Sequence, residues 1–197
     1  MDNRSYVLLL LWSGVAQWTV TAQAQTSGDA KGVDFTRICW NGAAEGTVSG
    51  ANTCAGRLVA NTTGIASHHP ATDWACTRDN ATGLIWSLQT QSSVTWVTAT
   101  AARYSDAGHN TPARCGYSSG WRIPSRRELL SIVDNGLDTG PMVNAAYFPA
   151  TQSHSYWTSD TYAPFPSGAW LVYFNSGYSG ANLKTYKYFV RLVRTAS

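Results

Sequence analysis

The sequence predicts an α+β fold, and the order of its segments leads to this prediction. A short β-prone segment at residues 82–86 comes first, two helical segments follow it, and three or more β-prone segments come last. This order differs from the alternation of strands and helices that is typical of a parallel doubly wound sheet. The chain has 197 residues, a length that suits about one domain. We therefore expect two helices and a mainly antiparallel sheet.

The two helices are predicted from their caps and from the spacing of their apolar residues. Thr95 is a candidate N-cap for the first helix, in which four residues recur at helical spacing: Trp96, Ala99, Ala102 and Arg103. In the second helix, Ser125 and Glu128 match an S-x-x-E capping box. Its buried face is expected to comprise Leu129, Leu130, Ile132 and Val133. Gly136 follows at the position expected for a left-handed helix end.

Loop and strand signals fill the rest of the C-terminal half. Residues 135–154 are rich in Asn, Gly, Pro and Ala, which predicts a long loop. The β-prone segments that follow are residues 156–162, 169–174 and 186–193, separated by turns with Pro or Gly.

The N-terminal part of the chain is typical of an exported protein. Arg4 precedes an apolar stretch at residues 6–11, and Ala22-Gln23-Ala24 is an A-x-A cleavage pattern, so residues 1–24 are interpreted as a signal peptide. The stretch is shorter than the about 20 residues of a membrane span. We expect no membrane span and an extracellular or cell-surface location. Residues 25–72 are predicted to form an irregular N-terminal arm.

The four cysteines of this exported chain are expected to form disulfides, because an even count in an oxidising compartment favours pairing. Three pairings are possible. We favour Cys39 with Cys54, since that bond closes a Gly-, Ala- and Ser-rich loop with little else to hold it, and therefore Cys76 with Cys115. No C-x-x-C motif is present, so zinc is disfavoured.

Composition points to a polar but weakly charged surface. Charged residues are 13% of the chain and aromatic residues 12%, with a formal net charge of +3. About 25% charged residues would be usual, so Ser, Thr, Asn, Gly and Tyr must cover much of the surface. This composition fits an exported protein better than a cytosolic enzyme.

Several separated motifs together resemble one family, the Lcl C-terminal domain, named after the C-terminal region of a bacterial collagen-like adhesin. The matching stretches occur in family order at residues 73–80, 82–86, 115–117, 121–124, 128–129, 147–149, 156–159, 169–170 and 190–194. The resemblance implies a domain at residues 73–197 with a fold similar to C-type lectins, exposed at the bacterial surface. The namesake adhesin is a trimer that binds sulfated glycosaminoglycans. Leu192 stands where some relatives carry Cys, which further favours the Cys76–Cys115 pairing.

Positive charge is concentrated near the C-terminus, which suggests an anionic partner. No Asp or Glu follows Asp160, whereas Lys184, Lys187, Arg191 and Arg194 add four positive charges. Tyr178 and Tyr186 lie among them and suit stacking on sugar rings. These six residues are the predicted ligand-binding residues, and the expected partner is an anionic glycan bound by a homo-oligomer such as a trimer. Alternatively, the charges form one solvated face of a terminal strand and the tyrosines pack on the sheet. Nucleic acid is disfavoured as a partner because the basic content is modest.

Three other interpretations of the sequence are a hydrolase, a calcium-binding loop and a structural subunit. Residues 116–120 match G-x-S-x-G around Ser118, but Cys115 and Trp121 replace the strand and helix that a hydrolase elbow needs. We expect no catalytic residues, and a hydrolase is a remote alternative. Four residues in and around the long loop carry side-chain oxygens that could bind calcium: Asp134, Asn135, Asp138 and Asn144. Asp and Asn in loops more usually stabilise turns, so we expect no metal and no cofactor. A structural subunit of an extracellular filament remains an alternative.

Overall fold

The computed structural model describes residues 34–45, 54, 56, 58, 73–89, 93–101 and 113–196. These residues form nine strands and two short helices. In chain order the elements are β1 (Phe35–Cys39), β2 (Trp74–Asp79), β3 (Leu84–Ser87), β4 (Val94–Thr95), α1 (Trp96–Thr100), α2 (Arg126–Ser131), β5 (Ser155–Thr161), β6 (Gly168–Tyr173), β7 (Ser179–Leu183), β8 (Lys187–Tyr188) and β9 (Val193–Thr195).

The strands form three antiparallel sheets, which confirms the predicted α+β fold with two helices. A four-stranded sheet has the order β1-β2-β3-β9, a three-stranded sheet has the order β5-β6-β7, and β4 pairs with β8. Helix α2 packs against β5 and β6. Two apolar clusters fill the interior, one around Trp86 and Phe148 and the other around Trp157 and Leu171.

Helix α2 begins with the predicted capping box. The Glu128 N–H donates to Ser125 Oγ at 3.2 Å, and the Ser125 N–H donates to Glu128 Oε2 at 2.7 Å. The helix is shorter than the apolar pattern predicts, because Ile132 is already its C-cap. The expected left-handed end at Gly136 is wrong: its N–H donates instead to Asp134 Oδ1 at 2.9 Å in the following turn.

Helix α1 also begins at its predicted cap, since the Thr98 N–H donates to Thr95 Oγ1 at 3.4 Å. It spans five residues and ends at Ala101. Ala99 is its buried residue. The predicted continuation through Ala102 and Arg103 lies outside the described residues.

Both favoured disulfides are present: Cys39 is bonded to Cys54, and Cys76 to Cys115. All four cysteines are fully buried. The second bond ties β2 to the segment before α2, so it joins parts of the chain that are 39 residues apart.

The region predicted to be an irregular arm contains a regular strand. Phe35–Cys39 pairs with β2 over a register that runs from Phe35 opposite Asp79 to Cys39 opposite Trp74. Phe35 is buried against Tyr147 and Phe148, whose ring centroids lie 5.6 and 5.1 Å from its own. The expectation of no regular structure is therefore wrong for these five residues, which include the strand formers Phe35, Thr36 and Ile38 and pair with β2. The predicted signal peptide lies outside the described residues.

The predicted loop at residues 135–154 contains no helix or strand, but it is part of the core. Its buried apolar members are Met142, Val143, Tyr147 and Phe148. The Met142 N–H donates to Phe174 O at 2.6 Å and the Asp134 N–H donates to Met142 O at 2.9 Å, which fixes the loop to the neighbouring elements. Within the described part of the chain, no helix has the length and apolar character to cross a membrane.

Candidate functional site

Three of the predicted ligand-binding residues come together in one turn between β7 and β8. Lys184, Tyr186 and Lys187 lie in residues 184–187, which we call the basic turn. The Tyr186 N–H donates to Leu183 O at 3.0 Å and closes this turn. Lys187 pairs with Thr95 of β4, and the Trp96 N–H donates to Lys184 O at 3.1 Å. The start of α1 therefore holds the basic turn in place.

The two lysines of the basic turn differ in their freedom. Lys184 Nζ lies 4.1 Å from the Trp96 ring centroid and donates to Thr161 Oγ1 at 2.9 Å. Lys187 is exposed, and Tyr186 has 51% of its surface exposed. Lys184 thus carries an ordered, partly covered charge, whereas Lys187 and Tyr186 are open to a ligand.

Tyr178 lies apart from the basic turn. It is 75% exposed and immediately precedes β7, whereas Lys184 immediately follows that strand. At about 3.3 Å per residue, the strand separates the two positions by about 20 Å. Tyr178 is therefore available to solvent, but it cannot share a single sugar ring with the basic turn.

Arg191 is a structural residue and does not face a ligand. It is only 4% exposed, its Nη1 donates to Ser87 O at 3.0 Å, and its Nη2 donates to Thr151 Oγ1 at 2.8 Å. Its guanidinium carbon lies 5.5 Å from the Phe148 ring centroid. Complete burial lowers the pKa of the guanidinium, because a low-dielectric interior disfavours the charged form.

Arg194 is also directed into the fold. It is 7% exposed, stacks over Tyr117 with its guanidinium carbon 3.5 Å from the ring centroid, and donates from Nη1 to Ser119 O at 2.7 Å. Neither arginine belongs to a solvated strand face, contrary to both sequence interpretations.

The burial of Arg191 follows from the path of residues 189–192. The predicted strand at 186–193 is broken into β8 and β9. Between them, Phe189 exchanges hydrogen bonds with β5, and Leu192 O accepts from the Ser87 N–H of β3 at 2.9 Å. Because this segment runs between two sheets, both of its faces are covered.

Acidic side chains contribute little to the described surface. Asp138 is the one exposed Asp or Glu among the described residues. Asp79 Oδ1 accepts from the N–H groups of Ala81 and Thr82, and Asp160 Oδ2 accepts from the Arg126 N–H. The exposed cations of the described residues are Arg122, Arg127 and Lys187, and of these Arg122 is paired with Glu128 at 2.6 Å.

A cleft lined by aromatic and small residues adjoins the basic turn, and the sequence analysis did not find it. It has a volume of about 250 Å³ and is lined by Tyr162, Phe165, Ser167, Gly168, Ala181, Asn182 and Leu183. We call it the aromatic cleft. Phe165 is 68% exposed and Leu183 46%. The sequence contains one sign of this cleft, which is the aromatic residue Phe165 between two prolines in a turn. The small residues of β7 have no obvious β pattern.

The predicted alternatives have ordinary structural surroundings. Asp134 is buried and caps the turn at Gly136, and Asn144 Oδ1 accepts from the Ala146 N–H at 3.0 Å. No group of three or more His, Cys, Asp or Glu in the described residues could hold a metal ion. Ser118 lies in an exposed bend, and the next helix, α2, begins only at Arg126.

A family model for the Lcl C-terminal domain matches residues 75–194, which is more than half of the chain. The chain belongs to the Lcl C-terminal domain family. The match begins within β2 and ends within β9, so it includes the basic turn and the aromatic cleft. Strand β1 and the Cys39–Cys54 disulfide lie outside the matched range. A comparison with curated protein sequences gave no significant match.

Proposed function

We propose that this Lcl-family chain is a non-enzymatic, surface-exposed or extracellular protein that binds anionic glycans through its basic turn. The observation that carries the proposal is the charge imbalance along the C-terminal segment that contains that turn. Lys187 and Tyr186 are exposed, Lys184 is close by, and no acidic residue occurs between Thr161 and the C-terminus. A region with cations and no compensating carboxylates attracts anionic chains.

The chemistry of the turn suits a repeated polyanion better than a single small anion. Lys ammonium groups act as point charges without the bidentate geometry of Arg. Each exposed contact is weak, because solvent and salt screen it over about 8–10 Å. Several basic turns side by side would raise the affinity through effective concentration, so the proposal includes a homo-oligomer such as a trimer.

Family membership supports the proposal, because the resemblance implies a C-type-lectin-like fold and exposure at the bacterial surface. The A-x-A signal pattern and the two disulfides agree with export. Burial of Arg191 and Arg194 narrows the proposed site to the basic turn.

Retention on a heparin column tests the proposal with two matched variants. Lys187→Gln removes an exposed charge from the basic turn, and Arg127→Gln removes an exposed charge from α2. We expect Lys187→Gln to elute at lower salt and to weaken affinity about two- to fivefold, as for one exposed ionic contact. Arg127→Gln should elute close to the wild type.

Equal shifts for the two variants would show that only net charge matters and would contradict a defined site. Absence of any retention of the wild type at low salt would overturn the glycan proposal. It would favour the structural-subunit alternative if light scattering then showed large assemblies.

A further inference from the structure

We propose that the aromatic cleft is a subsite for one sugar ring of the bound glycan, stacked on Phe165 and Tyr162. This inference rests on the proposed function and deepens it, because it adds ring recognition beside the charge of the basic turn. An exposed Phe ring at the mouth of a cleft is the observation that suggests it: Phe165 is 68% exposed.

The turn that carries Phe165 is held rigidly by its backbone. The Phe165 N–H donates to Tyr162 O at 3.0 Å, the Gly168 N–H donates to Phe165 O at 2.8 Å, and the Tyr162 N–H donates to Gly168 O at 3.0 Å. These bonds join the end of β5 to the start of β6. The Phe165 ring is therefore presented to solvent by an ordered turn, so little conformational entropy would be lost on binding.

A second layer of contacts orients Tyr162. Its ring lies edge-on to Trp170 with centroids 5.0 Å apart, and the Arg126 guanidinium carbon lies 3.9 Å above the Trp170 ring. Arg126 Nε donates in turn to Ser179 Oγ at 3.0 Å. Helix α2 and β7 thus fix the aromatic wall of the cleft before any ligand arrives.

Gly168 and Ala181 are small residues that line the cleft. At Gly168, a Cβ would lie only 3.2 Å from Asn182 O and 3.3 Å from Phe165 O, so a larger residue would crowd the contact between β6 and β7. Ala181 is the neighbouring small residue of β7. The resulting volume of about 250 Å³ is below the size of usual drug-sized sites and suits one ring rather than a helix.

The character of the lining favours a sugar over other ligands. Aromatic ring faces carry partial negative charge and attract the weakly positive C–H groups on one face of a pyranose. Tyr162 and Ser167 also line the cleft, and their side chains carry hydroxyl groups of the kind that pair with sugar hydroxyls. A purely apolar occupant would leave these groups without such partners.

The aromatic cleft and the basic turn are continuous. Leu183 lines the cleft and is followed directly by Lys184, whose N–H donates to Ser167 O at 3.0 Å. A glycan with one ring in the cleft would therefore place its neighbouring sulfate or carboxylate groups beside the basic turn, which begins at Lys184. The cleft therefore adjoins a cationic turn, and no acidic residue follows Asp160 in the sequence. This positive charge favours an anionic glycan as the occupant.

Two probes separate ring recognition from charge. The first is a heparin hexasaccharide, and the second is inorganic polyphosphate of matched charge, which has no sugar rings. We expect Phe165→Ala to weaken hexasaccharide binding about fivefold, in line with one aromatic contact, and to leave polyphosphate binding unchanged. Phe165→Tyr should retain hexasaccharide binding, because it keeps the ring.

Val97→Ala is the matched control, because Val97 is 67% exposed on α1 and does not line the cleft. It should change binding of neither probe. Light scattering on each variant checks whether Phe165 instead contacts a second copy of the chain.

The outcomes separate the sugar subsite from the basic turn. Unchanged hexasaccharide binding by Phe165→Ala, with a wild type that binds, would overturn the sugar subsite and leave the basic turn standing. Equal loss for both probes, or a change in molecular mass, would also overturn it and would indicate an interface between copies. A wild type that binds neither probe would overturn the proposed function and the subsite together.

Discussion

Arg191 and Lys187 show how differently two basic residues of one short segment are used. Lys187 is exposed, whereas Arg191 is inside the fold with both terminal nitrogens bonded to Ser87 and Thr151. From the sequence they look alike, since both follow the last acidic residue and alternate with apolar neighbours. Only the path of the chain between two sheets distinguishes them.

This difference predicts effects of very different size on stability. Arg191→Ala removes a fully buried side chain and leaves Ser87 O without its Arg191 donor, so we expect the free energy of unfolding in urea to fall by about 2–4 kcal/mol. Lys187→Ala should change it by less than about 0.5 kcal/mol, as is usual for an exposed residue. If Arg191→Ala unfolded like Lys187→Ala, the buried position of Arg191 would be wrong.

At the scale of elements, local signals predicted the helix starts well. The Ser125 and Glu128 capping box depends on residues three apart, so both partners are visible within one turn of sequence. The lengths of the helices were harder to predict from the sequence, because tertiary contacts decide where a short helix ends. Ile132, for example, is a C-cap although its apolar character continues the helical pattern.

The capping box of α2 also predicts a pH dependence. Two hydrogen bonds from Arg122, at 2.8 and 2.6 Å, together with the Ser125 N–H, lower the pKa of Glu128 from 4.5 to about 2. A carboxylate with a lowered pKa stabilises the fold fully above its unfolded value, and this contribution is lost as the pH falls from about 4.5 to about 2. Because the pair is partly exposed, the screened contribution should be about 1 kcal/mol.

Urea unfolding of Glu128→Gln across this pH range tests the effect. The variant should be less stable than the wild type by about 1 kcal/mol near pH 6, and the two should converge toward pH 2. Asp138→Asn, which removes an exposed carboxylate, is the control and should follow the wild-type profile. A Glu128→Gln profile parallel to that of the wild type would contradict the role given to this carboxylate.

Strand β7 could not be predicted, because its residues are individually poor strand formers. Strand β7 has the sequence SGANL, and it is a strand because β6 pairs with it along its whole length. Strand β1 does contain the strand formers Phe35, Thr36 and Ile38, but its partner β2 lies far away in sequence. Strand pairing and burial depend on residues far apart in sequence, so they form strands that local propensity does not predict.

At the scale of the whole molecule, the fold class and the disulfides were accessible from the sequence, and the site was accessible only in part. Lys184, Tyr186 and Lys187 do form one turn, but Arg191 and Arg194 serve the interior and Tyr178 lies at the opposite end of β7. The aromatic cleft could not be predicted, because Phe165 and Ala181 meet only when β6 and β7 pair.

The central claim is that the chain recognises anionic glycans by exposed charge, and the salt dependence of wild-type affinity for a heparin hexasaccharide tests it most directly. Calorimetry at about 50 mM and about 300 mM NaCl, with and without EDTA, should show affinity falling about tenfold at the higher salt and no effect of EDTA. Affinity that ignores salt but disappears with EDTA would contradict the claim. It would move the site to a metal held by the loop that contains Asp134 and Asp138.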